Sequence, residues 1–213
     1  MRFFKEEIDL YGVKSGDVRR IAKNAIKATK AQGLSKAQVF ALCDTLWQSA
    51  LMEDVSVACE LSDSQKDYFQ PADFDLFEHW VHTYVSNWAA CDTLCNHTIG
   101  DLVTLYPDLA QRLLPWTASE NRWARRAAAV TLIIPARNGL FLPLIFQIAD
   151  ALLQDKDDLV QKGYGWMLKA AAESHQDEVF AYIMQHKATM PRTSLRYAIE
   201  KMPPDLKKQA MAK

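Results

Sequence analysis

Residues 119–128 read Ser-Glu-Asn-Arg-Trp-Ala-Arg-Arg-Ala-Ala, and related stretches lie about 35 residues away on either side. Trp123 follows Trp88 by 35 residues, and Lys162 follows Arg126 by 36. Self-similarity at this period is typical of helical hairpins that stack, each burying one face against the next. Asp92 likewise precedes Arg126 by 34 residues. Equivalent positions of successive repeats then lie side by side, so Trp88, Asp92, Arg126 and Lys162 would line one surface.

The rest of the chain also has helical patterning. Apolar residues recur at helical spacing, Ser35 opens a capping-box pattern that ends at Gln38, and Gly or Pro separates the runs. We predict helices over residues 15–31, 35–47, 53–61, 73–95, 98–114, 119–134, 139–153, 157–173, 176–187 and 192–211. No alternating strand pattern is present, so the predicted fold is all-α: helical hairpins in a curved solenoid, with residues 1–213 as one domain. An irregular helical bundle is the competing prediction.

Composition is that of an ordinary globular protein. The chain is 49% hydrophobic and 24% charged, which is enough for a sizeable core. No apolar run approaches the roughly 18 residues of a membrane span, and the start lacks the apolar core of a secretory signal, so a cytoplasmic location is expected. Four cysteines in a chain of this length do not indicate a disulfide framework.

The net charge of −1 hides a strong segregation of charge. Residues 1–30 hold eight Lys and Arg against four Asp and Glu, whereas residues 31–80 hold two against nine. Basic side chains concentrate near Arg19 and Arg20, over residues 122–126, and over residues 192–208. Such patches can contact phosphates even in a neutral protein, although a charged helix face is more often simply solvated.

Trp88 and Asp92 form the first candidate site. Four residues apart on a helix, they share a face with their Cβ atoms about 6 Å apart, and the small Ala89 and Ala90 leave room around the ring. A carboxylate beside an aromatic face suits stabilisation of a cation. From spacing alone, however, a core Trp and a surface Asp are the favoured interpretation.

Residues 119–128 are the second candidate. Ser119 can cap a helix whose first two turns hold three arginines, and Trp123 and Arg126 lie nearly on one face. Arginines there could bind phosphates, which position a protein on DNA without reading its sequence. Ordinary solvated arginines are an equally good interpretation.

A third candidate follows at residues 161–169, where Trp166 lies one turn after Lys162. Gly163 and Gly165 each cost about 1 kcal/mol relative to Ala inside a helix, which predicts that another group approaches the backbone closely here. By itself, Trp166 is more often a core residue.

A metal site is the remaining chemical alternative. Cys91 and Cys95 are one turn apart and His97 is near, but no second cysteine pair stands at zinc-site spacing. Buried cysteine usually behaves as a small apolar residue. Neither a metal nor another cofactor is therefore predicted.

Taken in order, these stretches resemble the AlkD-like DNA alkylation repair family. Its members are DNA glycosylases of HEAT-like helical repeats that remove cationic N3- and N7-alkylated purines. The resemblance rests on Phe3-Phe4-Lys5, Leu10-Tyr11-Gly12-Val13, Trp88-x-x-x-Asp92 with Gly100-Asp101-Leu102, Ser119-x-Asn121-x-Trp123-x-x-Arg126-Ala127-Ala128, and Gln161-Lys162-x-x-Gly165-Trp166-x-Leu168. One departure is Asn87, where some relatives have a second Trp.

The resemblance implies a role for each of these positions. Trp88, Asp92 and Arg126 would be catalytic, with Asp92 stabilising an oxocarbenium-like sugar and orienting water. The residues implied to contact DNA are Trp166, Trp123, Arg125, Lys162, Phe3, Arg19 and Arg20. It further implies that the base need not enter a tight pocket, unlike the usual base-flipping enzyme.

The predicted partner is double-stranded DNA with alkylated purines, and the chain is expected to act as a monomer without a membrane. Strand cleavage is not predicted, because no lysine stands out as a Schiff-base nucleophile. The alternative function is a non-catalytic repeat protein that binds DNA or another protein on its concave face, because fold alone does not settle function.

Overall fold

The structure is a computed structural model that describes Phe4 and residues 6–212. The described residues contain no β-strand, so the predicted all-α fold is confirmed. The chain divides into two compact units, Met1–Leu102 and Val103–Lys213. None of the helices in the described part is long and apolar enough to cross a membrane.

The first unit contains α1 (Ser15–Ala31), α2 (Lys36–Gln48), α3 (Met52–Asp63), a 3₁₀ turn (Lys66–Tyr68), α4 (Asp73–Thr83), α5 (Trp88–Thr93) and a π-helical segment (Leu94–Ile99). Helix α6 (Gly100–Leu105) continues the π-helical segment and contains the division between the units. The second unit contains a 3₁₀ segment (Pro107–Ala118), α7 (Arg122–Val130), α8 (Ile133–Arg137), α9 (Leu142–Leu152), α10 (Asp158–Ala171), α11 (Gln176–His186), α12 (Arg192–Ala198) and α13 (Pro204–Met211).

Helix α3 is the centre of the first unit and packs against α1, α2 and α5. An aromatic cluster joins α2 and α4, in which the Phe40 ring meets Phe77 edge-on at 5.5 Å between centroids and Trp80 at 6.1 Å. Edge-to-face packing of this kind adds to the burial of apolar surface. Helix α10 has the corresponding place in the second unit, against α7, α8, α9 and α12.

Polar contacts within each unit recur at the predicted repeat spacing. The Trp80 indole donates to Asp44, 36 residues earlier, at 3.1 Å. In the second unit, Arg122 pairs with Asp157, 35 residues later, at 2.8 Å. Contacts at separations of 35–37 residues also join Lys36 to Asp73, Ser62 to Thr98, Arg137 to Glu173, and His175 to the Gly139 carbonyl. The repeat of about 35 residues is therefore confirmed.

The end of α1 shows how the sequence stops a helix. Gly33 has a φ of 65°, and the amide of Leu34 donates to the Thr29 carbonyl while the Gly33 amide donates to that of Lys30. These two bonds make a Schellman motif, which favours glycine because its left-handed residue carries no Cβ. The next helix begins at the predicted capping box between Ser35 and Gln38.

Several predicted helix boundaries were wrong. The run at 73–95 is interrupted at residues 84–87, the run at 119–134 breaks after Val130, and Pro203 divides the run at 192–211. Residues 107–118 form a 3₁₀ segment with Pro115 inside it, where the predicted run at 98–114 had continued as α-helix. Ser15 does not cap α1, whose N-cap is Lys14 without a side-chain bond. Proline marks the break at Pro203 in the sequence, whereas residues 84–87 and 131–132 contain neither proline nor glycine.

Candidate functional site

Helix α5 holds Trp88 at its first position and Asp92 one turn later. Both side chains are partly exposed and their helical spacing is confirmed. The Phe4 ring stacks on Trp88, with 5.3 Å between ring centroids and 26° between planes. Trp88 is therefore held from one side by another aromatic ring.

Asn87 sets where this helix starts. Its side-chain oxygen accepts a hydrogen bond from the Ala90 amide at 2.9 Å, and Asn87 is only 5% exposed. Asparagine is among the best N-cap residues. Asn87, where some relatives have a second Trp, therefore has a structural role here as the N-cap of α5. Because one continuous helix was predicted over residues 73–95, the sequence analysis missed this cap.

Replacing Asn87 by Ala is expected to lower the free energy of unfolding by about 1 kcal/mol, because the Ala90 amide loses its acceptor. Asn87→Asp, which keeps an acceptor oxygen, should retain most of the stability. Urea unfolding of the three proteins measures the difference. If Asn87→Ala and Asn87→Asp lose equal stability, the cap is not the cause.

A π-helical segment, Leu94–Ile99, directly follows α5. The Asn96 side-chain amide donates a hydrogen bond to the Asp92 carbonyl at 3.0 Å. This bond satisfies a backbone carbonyl close to the point where the α-helix is followed by the π-helical segment. Short π segments occur often at functional sites. Nothing in the sequence pattern predicts this segment.

In the second unit, Arg126 lies on α7 and faces α10. It is 5% exposed, and its guanidinium donates to the Leu159 carbonyl. A Cβ placed on Gly163 would lie 3.3 Å from Arg126 Cγ and 3.5 Å from Nη1. The close approach predicted at Gly163 is confirmed, and Arg126 is the group that approaches.

Gly165 has less free space around it than Gly163 has. A Cβ there would lie 2.8 Å from the Ser194 carbonyl oxygen and 2.8 Å from Tyr197 Cβ, both on α12. The two glycines of α10 therefore let α7 and α12 approach the same helix. Lys162 pairs with Asp158 at 2.8 Å, and Trp166, one turn further along, is partly exposed.

The arginines before Arg126 support the fold. Arg125 pairs with Asp155 at 2.6 Å and donates to the Ser119 and Glu120 carbonyls. Arg122, besides pairing with Asp157, lies 5.0 Å from the Trp123 ring centroid. Trp123 lies in the core and is 7% exposed. The contacts that Arg125 makes are all with other parts of the protein. The DNA contacts predicted for these two residues would therefore be additional to the contacts seen in the structure.

The predicted cap of α7 was wrong. Asn121 is the N-cap, and its side chain accepts from the Trp123 amide at 2.9 Å. The Ser119 hydroxyl instead accepts from the Asn121 amide at 3.2 Å. Ser119 thus stabilises the turn that precedes the cap.

On α1, Arg19 and Arg20 are both exposed, and Arg20 pairs with Asp17 at 2.9 Å. Lys23, Lys27 and Lys30 on the same helix are also exposed, so the predicted basic surface of α1 is present. Phe3, predicted near the lesion, lies outside the described residues.

Glu53 on α3 fastens the segment that precedes α1. Its carboxylate accepts from the amides of Tyr11, Gly12 and Val13 at 2.9–3.0 Å. Partial burial by itself raises the pKa of Glu53, but these hydrogen bonds outweigh it, and the pKa lies below its ordinary value of 4.5.

This pKa predicts an acid-sensitive contact. Because folding lowers the pKa of Glu53, its stabilising effect is complete above the ordinary value and is lost as pH falls through the lower folded value. We expect amide hydrogen exchange of residues 11–13, relative to unstructured rates, to accelerate on that acidification. Glu53→Ala should remove the protection at every pH, whereas Glu60→Ala on the same helix should not. Unchanged protection in Glu53→Ala would show that the carboxylate does not hold the segment.

The cysteines considered as metal ligands are buried. Cys91 and Cys95 are both inaccessible to solvent. Cys43, which was not a candidate ligand, is buried as well, and burial raises the pKa of its thiol to about 12. Within the described residues, no three His, Cys, Asp or Glu side chains are grouped so that they could hold a metal ion.

Comparison with known proteins identifies the class to which this fold and these residues belong. Residues 1–202 match the family described as DNA alkylation repair enzyme, and the chain belongs to that family. A solved structure, described as a predicted DNA alkylation repair enzyme from Enterococcus faecalis, is similar with a TM-score of 0.81 and 16% identity, over 92% of this chain and 90% of that one. At that identity the similarity shows the fold alone. The comparison with curated proteins finds no match.

Proposed function

We propose that this member of the DNA alkylation repair family is a monofunctional DNA glycosylase for positively charged N3- and N7-alkylated purines. The observation that carries the proposal is the pairing of Trp88 and Asp92 on one face of α5 in a chain of this family. A scaffold has no need for a carboxylate beside an accessible aromatic ring.

The chemistry follows from the charge of the lesion. A purine alkylated at N3 or N7 is already cationic, so it leaves without a strong general acid. As the glycosidic bond breaks, positive charge develops on the deoxyribose, and a nearby carboxylate stabilises such a transition state. Asp92 has this role in the proposal and also orients the attacking water. Trp88, steadied by Phe4, offers an aromatic face to the same sugar.

In the second unit, Arg126 is the proposed phosphate contact and Trp166 a further proposed DNA contact. Arg126 is held against α10 by the Leu159 carbonyl and by Gly163, so its guanidinium has a defined orientation. A preoriented guanidinium loses less side-chain freedom on contact, but Arg126 is only 5% exposed, so the proposal requires a phosphate to reach the part of the guanidinium that the Leu159 carbonyl does not occupy. Trp166, which is partly exposed on α10, is a further proposed DNA contact of this unit. The exposed lysines and Arg19 of α1 would contact the backbone further along the duplex.

The test is product identity on a duplex with one N7-methylguanine. A monofunctional glycosylase releases the free base, seen by chromatography, and leaves a strand that breaks only after alkaline treatment. Immediate strand breakage would contradict a monofunctional enzyme. Salt-dependent DNA binding without base release would favour the non-catalytic alternative.

A further inference from the structure

The segment before α1, described at Phe4 and residues 6–13, is a strap without regular secondary structure. At one end the strap leads into α1, and at the other the Phe4 ring stacks on Trp88 of α5. Between its ends it forms one wall of a cavity of about 850 Å³, whose other walls include side chains of α1, α3 and α5. The strap is therefore the link between α1 and the ring that covers Trp88.

Apolar burial does little to hold the strap in place. Leu10, Tyr11 and Val13 are 55%, 63% and 40% exposed, and the first and last of them also line the cavity. Large apolar side chains that stay this accessible to water contribute only part of the stabilisation that full burial would give. The position of this part of the strap therefore depends mainly on polar contacts.

These polar contacts converge on the first turn of α3. The Glu53 carboxylate accepts hydrogen bonds from three consecutive amides, those of residues 11–13, at 2.9–3.0 Å. Next to it, the Met52 amide donates to the Asp9 carbonyl at 3.0 Å. Hydrogen bonds to an ionised acceptor are stronger than those between neutral groups. Glu53 is therefore the main attachment of the strap to α3.

Gly12 allows the three amides to point at one carboxylate. Its φ is 85°, in the left-handed region that glycine adopts without strain. Successive amides that turn inward at such a residue form a concavity that binds an anion. Gly12 is the only glycine of the strap, so the strap attaches to Glu53 in this way at one register only.

This attachment is connected to Trp88 through a short length of chain. Phe4 precedes Gly12 by eight residues and stacks on Trp88. The helix that carries Trp88, α5, packs directly against α3, which carries Glu53. Because both ends of the strap rest on helices that are packed together, releasing the strap from α3 frees Phe4 to leave the indole ring.

We propose that Glu53 is a positioning residue for the candidate site: it attaches the strap to α3, and the strap holds Phe4 against Trp88. The reaction that it serves rests on the proposed glycosylase function. The inference goes beyond that function, because none of the roles implied by the family resemblance falls on Glu53. An indole that is already oriented loses little freedom when the sugar meets it, so Glu53 acts on the rate of base release rather than on DNA affinity.

The first measurement follows the ring itself, by fluorine NMR of the full-length protein labelled with fluorotryptophan. Trp88→Phe identifies the Trp88 resonance. We expect Glu53→Ala and Phe4→Ala to change this resonance in the same way, because both remove Phe4 from the ring. Glu60→Ala, which removes another carboxylate from the same helix and the same cavity, should leave it unchanged.

Gly12→Ala is the second route to the same effect, and it serves if Glu53→Ala is poorly folded. Alanine is strained at this positive φ, so the amides should turn away from the carboxylate while α3 keeps its sequence. The Trp88 resonance should change as it does in Glu53→Ala. A Trp88 resonance that stays unchanged in both proteins overturns the proposal.

The second measurement is single-turnover base release from duplex DNA with N7-methylguanine. Displacing a group at a reaction site costs up to about 10²-fold in rate, and we expect about tenfold for Glu53→Ala, because the ring is loosened rather than removed. DNA affinity should change little. In a protein that already carries Phe4→Ala, the same substitution should slow release no further, because Glu53 acts through Phe4.

Two kinetic outcomes contradict the proposal. Independent effects of Glu53→Ala and Phe4→Ala on the rate would show that Glu53 does not act through the stacked ring. Loss of DNA affinity without loss of rate would show that Glu53 acts through the basic face of α1 instead.

Failure of this inference can be distinguished from failure of the glycosylase function. If the wild type releases base and the Trp88 resonance does not respond to Glu53→Ala or Gly12→Ala, the glycosylase is kept and the positioning role is rejected. If the wild type releases no base, the glycosylase is rejected, and the Trp88 resonance alone decides whether Glu53 holds the ring.

Discussion

The Asp92→Asn protein is expected to release alkylated base about 10²–10³-fold more slowly than the wild type, the usual cost of removing one preorganised electrostatic group. The amide keeps the shape of the side chain and removes its negative charge. It can no longer stabilise positive charge on the sugar or orient water as an ionised acceptor. Single-turnover assays on duplex DNA with N7-methylguanine measure the rate of release.

DNA affinity should change much less than the rate, because phosphate contacts from basic side chains supply most of it. Asp108→Asn, the same change of charge at an exposed site in the second unit, should leave the rate close to that of the wild type. Equal rates for Asp92→Asn and the wild type would remove Asp92 from the mechanism.

Gly165→Ala is expected to lower the free energy of unfolding by about 1–3 kcal/mol, the usual cost of overpacking a core. The new methyl group would lie 2.8 Å from a carbonyl oxygen of α12, so α10 and α12 must separate. The gain of about 1 kcal/mol in helix propensity does not offset this strain. Chemical unfolding monitored by circular dichroism measures the change.

Gly163→Ala is the matched control on the same helix. Its Cβ would meet the Arg126 side chain and Val130 Cγ1 at 3.3–3.5 Å, and side chains can yield by a few tenths of an ångström. Stability should therefore stay close to that of the wild type, while base release falls several-fold as Arg126 shifts. If Gly163→Ala destabilises the protein as much as Gly165→Ala, the contact with α12 is not what makes Gly165 necessary.

Most of the helical framework could be predicted from sequence, because each helix must bury an apolar face. The capping box at Ser35, the repeat near 35 residues and the close approach at Gly163 and Gly165 are confirmed. The π-helical segment and the break before Asn87 were missed. Both depend on which hydrogen bonds the backbone makes locally, and apolar periodicity does not record that.

The candidate site could also be predicted in part, because helical spacing decides which side chains share a face. Helical spacing places Trp88 and Asp92 on one face, whereas the stacking of Phe4 depends on the path of a segment outside any helix. Arginines at a helix start look alike in sequence whether they are solvated or paired. The repeat does indicate that Arg122 is paired, because its partner Asp157 lies one repeat of 35 residues later in the sequence.

The most direct measurement is the rate at which free N7-methylguanine leaves duplex DNA with the wild-type protein in excess, compared with its spontaneous loss from the same duplex. If the protein is a glycosylase for cationic purines, release should be orders of magnitude faster with the protein than without it, and an unmodified guanine at the same position should stay in place. Release at the spontaneous rate, with the DNA demonstrably bound, would contradict the glycosylase function.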